Sequence, residues 1–168
     1  NHGLYLDVKH QCGRNNLDNV KAAYEACTNE RVTFEVSEFI DDMAKAYAEA
    51  DLVICRAGAL TVAEVAMAGV CSIFVPYPHA VDDHQTHNAR YLADTGGAII
   101  IQQHDLQEQE LAEQITALAN NKERLIAMAE KARKLSMPEA TKVVAEYCIK
   151  AANLNKKTNK RKNEEINA

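Results

Sequence analysis

Twelve residues, "PHAVDDHQTHNA" at 78 to 89, carry three of the chain's six histidines and two adjacent aspartates, a density met around bound metal ions. Zinc takes three or four His, Cys or carboxylate ligands at converging positions. His84 and His87, three apart on one helix face, would supply two of them, with His79 as a third. The same stretch admits a different chemistry. Asp82 or Asp83 stands where a helix N-cap belongs, and Gln85 and Asn88 set amide donors and acceptors beside the histidines. Amides are poor zinc ligands and good partners for sugar hydroxyls, so a polar loop shaped for a hydroxylated ligand is the competing expectation.

A second stretch, "CRAGALTVAEVAMAG" at 55 to 69, favours an anion. A strand ends at Cys55, Gly58 permits a tight turn, and a helix starting near Leu60 points the free N–H groups of its first turn outward. Glu64, within the first turn or so, would accept two hydrogen bonds from vicinal hydroxyls such as those of a ribose. Thr61 and Glu64 also have the spacing of a capping box, which needs no ligand. Neither a GxGxxG run nor a Walker lysine is present. Two weaker candidates follow other strands. Glu38-Phe39-Ile40 would lay an apolar side chain and exposed backbone beside a flat base, or is an ordinary loop capped by Asp41. His10, Gln11 and Gly13 would line a cleft edge, or simply form a turn.

The elements that position these residues alternate. Leu4 to Val8 reads as a strand, Leu17 to Cys27 as a helix, Val32 to Val36 as a strand, and Met43 to Ala50 as a short helix. "DLVIC" at 51 to 55 is a strand, 60 to 68 a helix closed by Gly69, 70 to 76 a strand closed by Pro76, and His84 to Ala93 a helix closed by Gly96 and Gly97. Gly97 to Ile101 is a fifth strand. Asp105 and Glu108 have capping-box spacing, and the chain then reads as helical to about Ala152, broken near Asn120 and at Pro138. Strands alternating with helices, with continuous apolar runs, predict an α/β fold: a Rossmann-like, doubly wound parallel sheet. Ligands in such sheets sit at the carboxyl ends of the strands, where all four candidate stretches fall.

At 168 residues, 47% hydrophobic and 26% charged, the chain suits one domain of ordinary globular composition. Five dispersed cysteines without a CxxC pair predict reduced thiols in a cytoplasmic protein. The net charge is −5, but the last 16 residues hold five Lys/Arg and two Glu, which leaves residues 1 to 152 at −8. An acidic body argues against nucleic acid as a partner. The expected organisation is a binding domain over 1 to 152 and a basic, disordered tail over 153 to 168. The start, Asn1-His2-Gly3, without an initiator Met or signal segment, reads as the interior of a longer protein.

Four segments together, "HQ" then Gly at 10 to 13, "FIDDMAKAYAEADLVICRAGALTVAEVAMAG" at 39 to 69, "FVPYPHAVDDHQTHNARYL" at 74 to 92 and "MPEATKVVAE" at 137 to 146, resemble the GT-B glycosyltransferases. Within that class the resemblance is to the carboxyl-terminal half of the bacterial UDP-N-acetylglucosamine transferases that make lipid II. It implies two Rossmann-like domains facing across a cleft, of which this chain is most of the donor-binding one. It implies a UDP-GlcNAc site in which Ile40 meets the uracil through its backbone. Ala59, Leu60, Thr61, Val62 and Ala63 form the loop around ribose and diphosphate, Glu64 holds the ribose hydroxyls, and Gln85 with Asn88 addresses the GlcNAc hydroxyls. No metal and no cofactor is implied, because GT-B enzymes steady the departing diphosphate with helix dipoles and side chains.

The partners the resemblance implies are UDP-GlcNAc, lipid I through a preceding domain, and the cytoplasmic face of the bacterial inner membrane, where the full-length protein is peripheral and this stretch alone soluble; nucleic acid is not among them. The family's glycine-rich loop and its acceptor domain, with the expected general base, would precede Asn1. No catalytic residue is therefore assigned within this chain, which alone is expected to bind donor weakly. Three rivals remain: a UDP-GlcNAc 2-epimerase on the same layout, a non-catalytic donor-binding subunit that needs a partner chain, and a metal module built on His79, His84 and His87.

Overall fold

The computed structural model describes residues 3–27 and 30–166, with side chains described as far as 153. It divides into two units, Asn1–Ser136 and Met137–Ala168. In the first unit strands β1 (Leu6–Gln11), β2 (Val32–Ser37), β3 (Leu52–Cys55), β4 (Cys71–Phe74) and β5 (Ala98–Ile100) alternate with helices α1 (Leu17–Cys27), α2 (Met43–Glu49), α3 (Ala59–Ala68) and α4 (His84–Ala93), followed by α5 (Glu108–Ala119) and α6 (Lys122–Lys134). Every strand pair is parallel, as the helical crossovers require. Among the described residues the pairing falls into two sets, β1-β2 and β3-β4-β5.

β4 is the middle strand of its set and all four of its residues are buried. Side chains alternate across a sheet, and β4 uses both faces. Phe74 packs with Val65, Leu92 and Ala132 in one core cluster, while Cys71 and Ile73 pack with Leu118 and Met128 in another. Such a strand is mostly apolar, and the polar residue of "CSIF", Ser72, is fully buried with no hydrogen-bond partner for its hydroxyl among the described residues. β1 alternates half-buried and exposed residues instead. On the β1-β2 pair Tyr24 of α1 stacks on Phe34 at 5.1 Å, and His10 meets Tyr24 edge-on at 5.7 Å.

Helix α3 ends at Gly69, whose φ of 65° is left-handed and whose N–H bonds Val65 O, as the sequence predicts. The turn after α4 is closed by Gly96 N–H to Ala93 O and Gly97 N–H to Leu92 O. Gly97 is needed for space: a Cβ there would lie 2.9 Å from the backbone nitrogen of Ala132. Helix α6 therefore packs directly on this glycine.

Several details differ from expectation. β1 begins at Leu6 rather than Leu4. α2 is capped by Asp42, which accepts from Lys45 N–H at 2.9 Å, in place of Asp41. The Asp105/Glu108 capping box does not form; α5 starts after Gln107 with no side-chain cap. Among the described residues of the second unit one helix, α7, runs Ala140–Ile166, so the backbone after 153 continues a helix where an irregular tail is expected. No Gly or Pro interrupts that span, and its many Ala, Lys and Glu residues lose little entropy in a helix. Among the described residues no helix is long and apolar enough to cross a membrane.

Replacing Gly97 with Ala should destabilise the protein by about 1–3 kcal/mol, because the backbone of α6 must move to admit the methyl group. Thermal melting would show it. Gly58→Ala is the control, since Gly58 has φ −60° and the added Cβ meets nothing closer than 3.7 Å.

Candidate functional site

The site is built from the segment between β3 and α3. Gly58 is the N-cap of α3 and has no side chain to cap with. Val62 N–H makes the first intrahelical bond, to Gly58 O at 2.9 Å. The N–H groups of Ala59, Leu60 and Thr61 precede it, at the electropositive end of the helix. Ala59, Leu60 and Ala63 are exposed, Thr61 is half-buried and Val62 is in the core. A helix end of this kind, open to solvent and uncapped, presents donors to an anion.

Helix α4 holds that loop in place. Ala57 is fully buried, and both polar groups of its backbone are gripped by side chains one turn apart on α4. Ala57 N–H donates to Gln85 Oε1 at 3.2 Å, and Ala57 O accepts from Asn88 Nδ2 at 3.1 Å. Gln85 Oε1 also accepts from Tyr77 N–H at 3.0 Å, so one amide oxygen joins the segments after β3 and β4. The groups left for a ligand are the amide nitrogen of Gln85 and, on Asn88, the amide oxygen and the second N–H. Beside them the Arg56 guanidinium donates to the carbonyls of Val75 and Pro76 at 3.1 and 3.2 Å and lies 5.6 Å from the Tyr77 ring centre.

Glu64 is half-buried in the second turn of α3. It does not form a capping box with Thr61, because the helix begins earlier, at Ala59. Its Oε2 instead accepts from the Tyr47 hydroxyl of α2 at 3.3 Å. Tyr47 is only 9% exposed and sits in the core cluster with Ala57, Val62 and Val65. Burial, and then the charge of Glu64, push its hydroxyl up to about 12. Burial likewise pushes the nearby Cys55 thiol up to about 12, so both groups are protonated at neutral pH. At the far end of α2, Glu49 is bonded to Lys9 of β1 at 2.6 Å.

Ile40 is held by a different set of contacts. The loops after β1 and β2 are laced by Cys12 N–H to Ser37 O at 2.9 Å and Gly13 N–H to Glu38 O at 3.1 Å. Ile40 N–H donates to Gln11 Oε1 at 3.0 Å, which leaves the Ile40 carbonyl for a ligand and makes Gln11 a competitor for its N–H. Asp82 and Asp83 both have φ of 51°. Asp83, at the start of α4, accepts from the Thr86 hydroxyl at 2.6 Å rather than from a backbone N–H. Among the described residues no three His, Cys, Asp or Glu side chains are grouped to hold a metal ion. His84 Nδ1 lies 2.8 Å from Val81 O, and His79 packs edge-on to Tyr77.

Sequence reasoning did not single out Tyr47, Arg56 or Tyr77. "AKAYAEA" offers one aromatic residue in a short helix, and that signals core before it signals a hydrogen bond.

Parallel strands wound with helices, with an open helix end at their carboxyl edge, make a Rossmann-like α/β layer of the kind from which GT-B glycosyltransferases are built. The chain belongs to the glycosyltransferase family 28 C-terminal domain family, which matches residues 1–144. It is 51% identical over 147 residues to the UDP-N-acetylglucosamine--N-acetylmuramyl-(pentapeptide) pyrophosphoryl-undecaprenol N-acetylglucosamine transferase of Marinobacter nauticus, a match covering 88% of this chain and 40% of that protein. With the enzyme of the same name from Aeromonas hydrophila it shares 52% identity over 150 residues, covering 89% and 41%. The crystal structure of Acinetobacter baumannii MurG superimposes with a TM-score of 0.83 at 49% identity, over 88% of this chain and 42% of that one. The chain thus spans about two fifths of the length of the relatives it matches.

Because the Tyr47 hydroxyl is raised from 10 to about 12, the folded state holds its proton more tightly than the unfolded chain does. The stability this contributes is fully present below pH 10 and lost as pH rises toward 12. Denaturant unfolding of wild type and Tyr47→Phe across pH 9 to about 12 should show a steeper alkaline loss in the wild type, Cys55 contributing equally to both.

Proposed function

We propose that this chain binds UDP-GlcNAc as the donor domain of an inverting hexosyltransferase that transfers GlcNAc to lipid I, forming lipid II in peptidoglycan synthesis. The observation that carries the reading is the uncapped end of α3, flanked by half-buried Glu64 on one side and by the Gln85/Asn88 clamp on the other. A nucleotide sugar has a matching order of parts: a diol, a diphosphate and a hydroxylated ring. The diphosphate lies against the N–H groups of Ala59 to Thr61, with Val62 and Ala63 completing the turn. Glu64 takes the ribose hydroxyls, Gln85 and Asn88 face the sugar, and the Ile40 backbone meets the base. The names of the relatives supply the same donor and a lipid-linked acceptor.

The acceptor's C4 hydroxyl attacks the anomeric carbon in line as UDP departs, which converts an α-linked donor into a β-glycoside. The part played by residues 1–152 is to position the donor and to stabilise charge growing on the leaving diphosphate, through fixed dipoles that need no reorganisation. The acceptor site and the general base belong to the remainder of the full-length enzyme. Since the acceptor is carried on a lipid, that enzyme works as a peripheral protein on the cytoplasmic face of the inner membrane.

In the full-length enzyme Glu64→Ala should raise the donor KM about tenfold or more and change kcat much less, the pattern of lost ground-state binding. Steady-state kinetics with varied UDP-GlcNAc would measure it, and unchanged donor kinetics would remove Glu64 from the site.

A further inference from the structure

We infer that Tyr47 is a positioning residue for the donor, holding the Glu64 carboxylate in the orientation that receives the ribose hydroxyls; this rests on the donor reading above. A glutamate side chain has three rotatable bonds, and fixing it costs entropy each time a ligand binds unless something has fixed it already. The Tyr47 hydroxyl does so by donating to Oε2 at 3.3 Å. It comes from a ring that cannot itself move freely, being packed with Ala57, Val62, Val65 and Ala66. A carboxylate offers about four acceptor positions. One is spent on Tyr47, and enough remain for a vicinal diol.

The direction of the bond suits the role. A hydroxyl held in its protonated form can only donate to an ionised carboxylate, so it leaves Glu64 an acceptor toward the ligand. The contact also links α2 to α3, since Tyr47 and Glu64 are the residues through which these helices bond side chain to side chain. Tyr47 does not reach the ligand, and its effect passes entirely through Glu64.

The test is the donor kinetics of full-length wild type, Tyr47→Phe and Glu64→Ala, with UDP-GlcNAc and with an analogue whose ribose is 2′,3′-dideoxy. Tyr47→Phe should raise the KM for UDP-GlcNAc roughly five- to tenfold, with kcat within about twofold, while its KM for the analogue stays that of wild type. Equal losses with both donors would make Tyr47 a packing residue only and overturn the inference. A normal KM in Tyr47→Phe beside a raised one in Glu64→Ala would overturn it too, while leaving the donor reading intact. If Glu64→Ala is normal, or wild type does not distinguish the two donors, the donor reading itself fails and the inference with it.

Discussion

The peptide of Ala57 is buried, and its N–H and carbonyl have no strand or helix to bond them. Left unmet, such groups cost about 1–3 kcal/mol each, so the path of the chain between β3 and α3 depends on Gln85 and Asn88 supplying both partners. The direction in which α3 starts, and so the outward aim of its first N–H groups, follows from that grip. Helix α4 is suited to the task because its faces differ. Ala89 and Leu92 are in the core cluster, while Gln85 and Asn88, one turn apart, face the loop. Its start is steadied by a buried hydroxyl, Thr86, which donates to Asp83 and accepts from Gln102 of the segment after β5. Three strand ends are thus tied to one helix.

Helix α2 does comparable work on the other side. It is only seven residues long, too short to be stable by itself, and it is held through Tyr47 in the core and through Glu49 on Lys9. The second contact is an exposed ion pair of modest worth; the first is buried and therefore decides where α2 sits. Arg56 has a similar economy. Its guanidinium is directed by two backbone carbonyls and the face of Tyr77, so its positive charge is held against the segment that follows β4.

Much of the fold was legible because its signals are local. The apolar runs at 52–55 and 71–74, and glycine at 69 and 96–97, mark elements whose observed ends lie within a few residues of those expected. The misreadings came where two local signals compete. Asp41 and Asp42 are both able caps, and the position of the first helical turn selects Asp42. Thr61 and Glu64 have capping-box spacing, yet α3 begins two residues before Thr61, with Gly58 as its N-cap in an ordinary extended conformation. Gln85, Asn88 and Glu64 stood out by residue type, but their present hydrogen-bond partners lie 8 to 31 residues away, beyond the reach of the spacing rules for a helix turn or a cap.

The sequence by itself determined the alternation of strands and helices, the parallel strand pairing, the buried β4, and the short list of polar residues at strand ends, since each follows from side-chain period and backbone preference along a few consecutive residues. Only the tertiary structure decided which of those polar atoms are already engaged. Gln85 spends its oxygen on two backbone N–H groups, Ile40 its N–H on Gln11, and Glu64 one oxygen on a tyrosine from another helix. The physical reason is that a buried polar group must find a partner wherever packing happens to place one, and packing brings together residues that the chain keeps far apart.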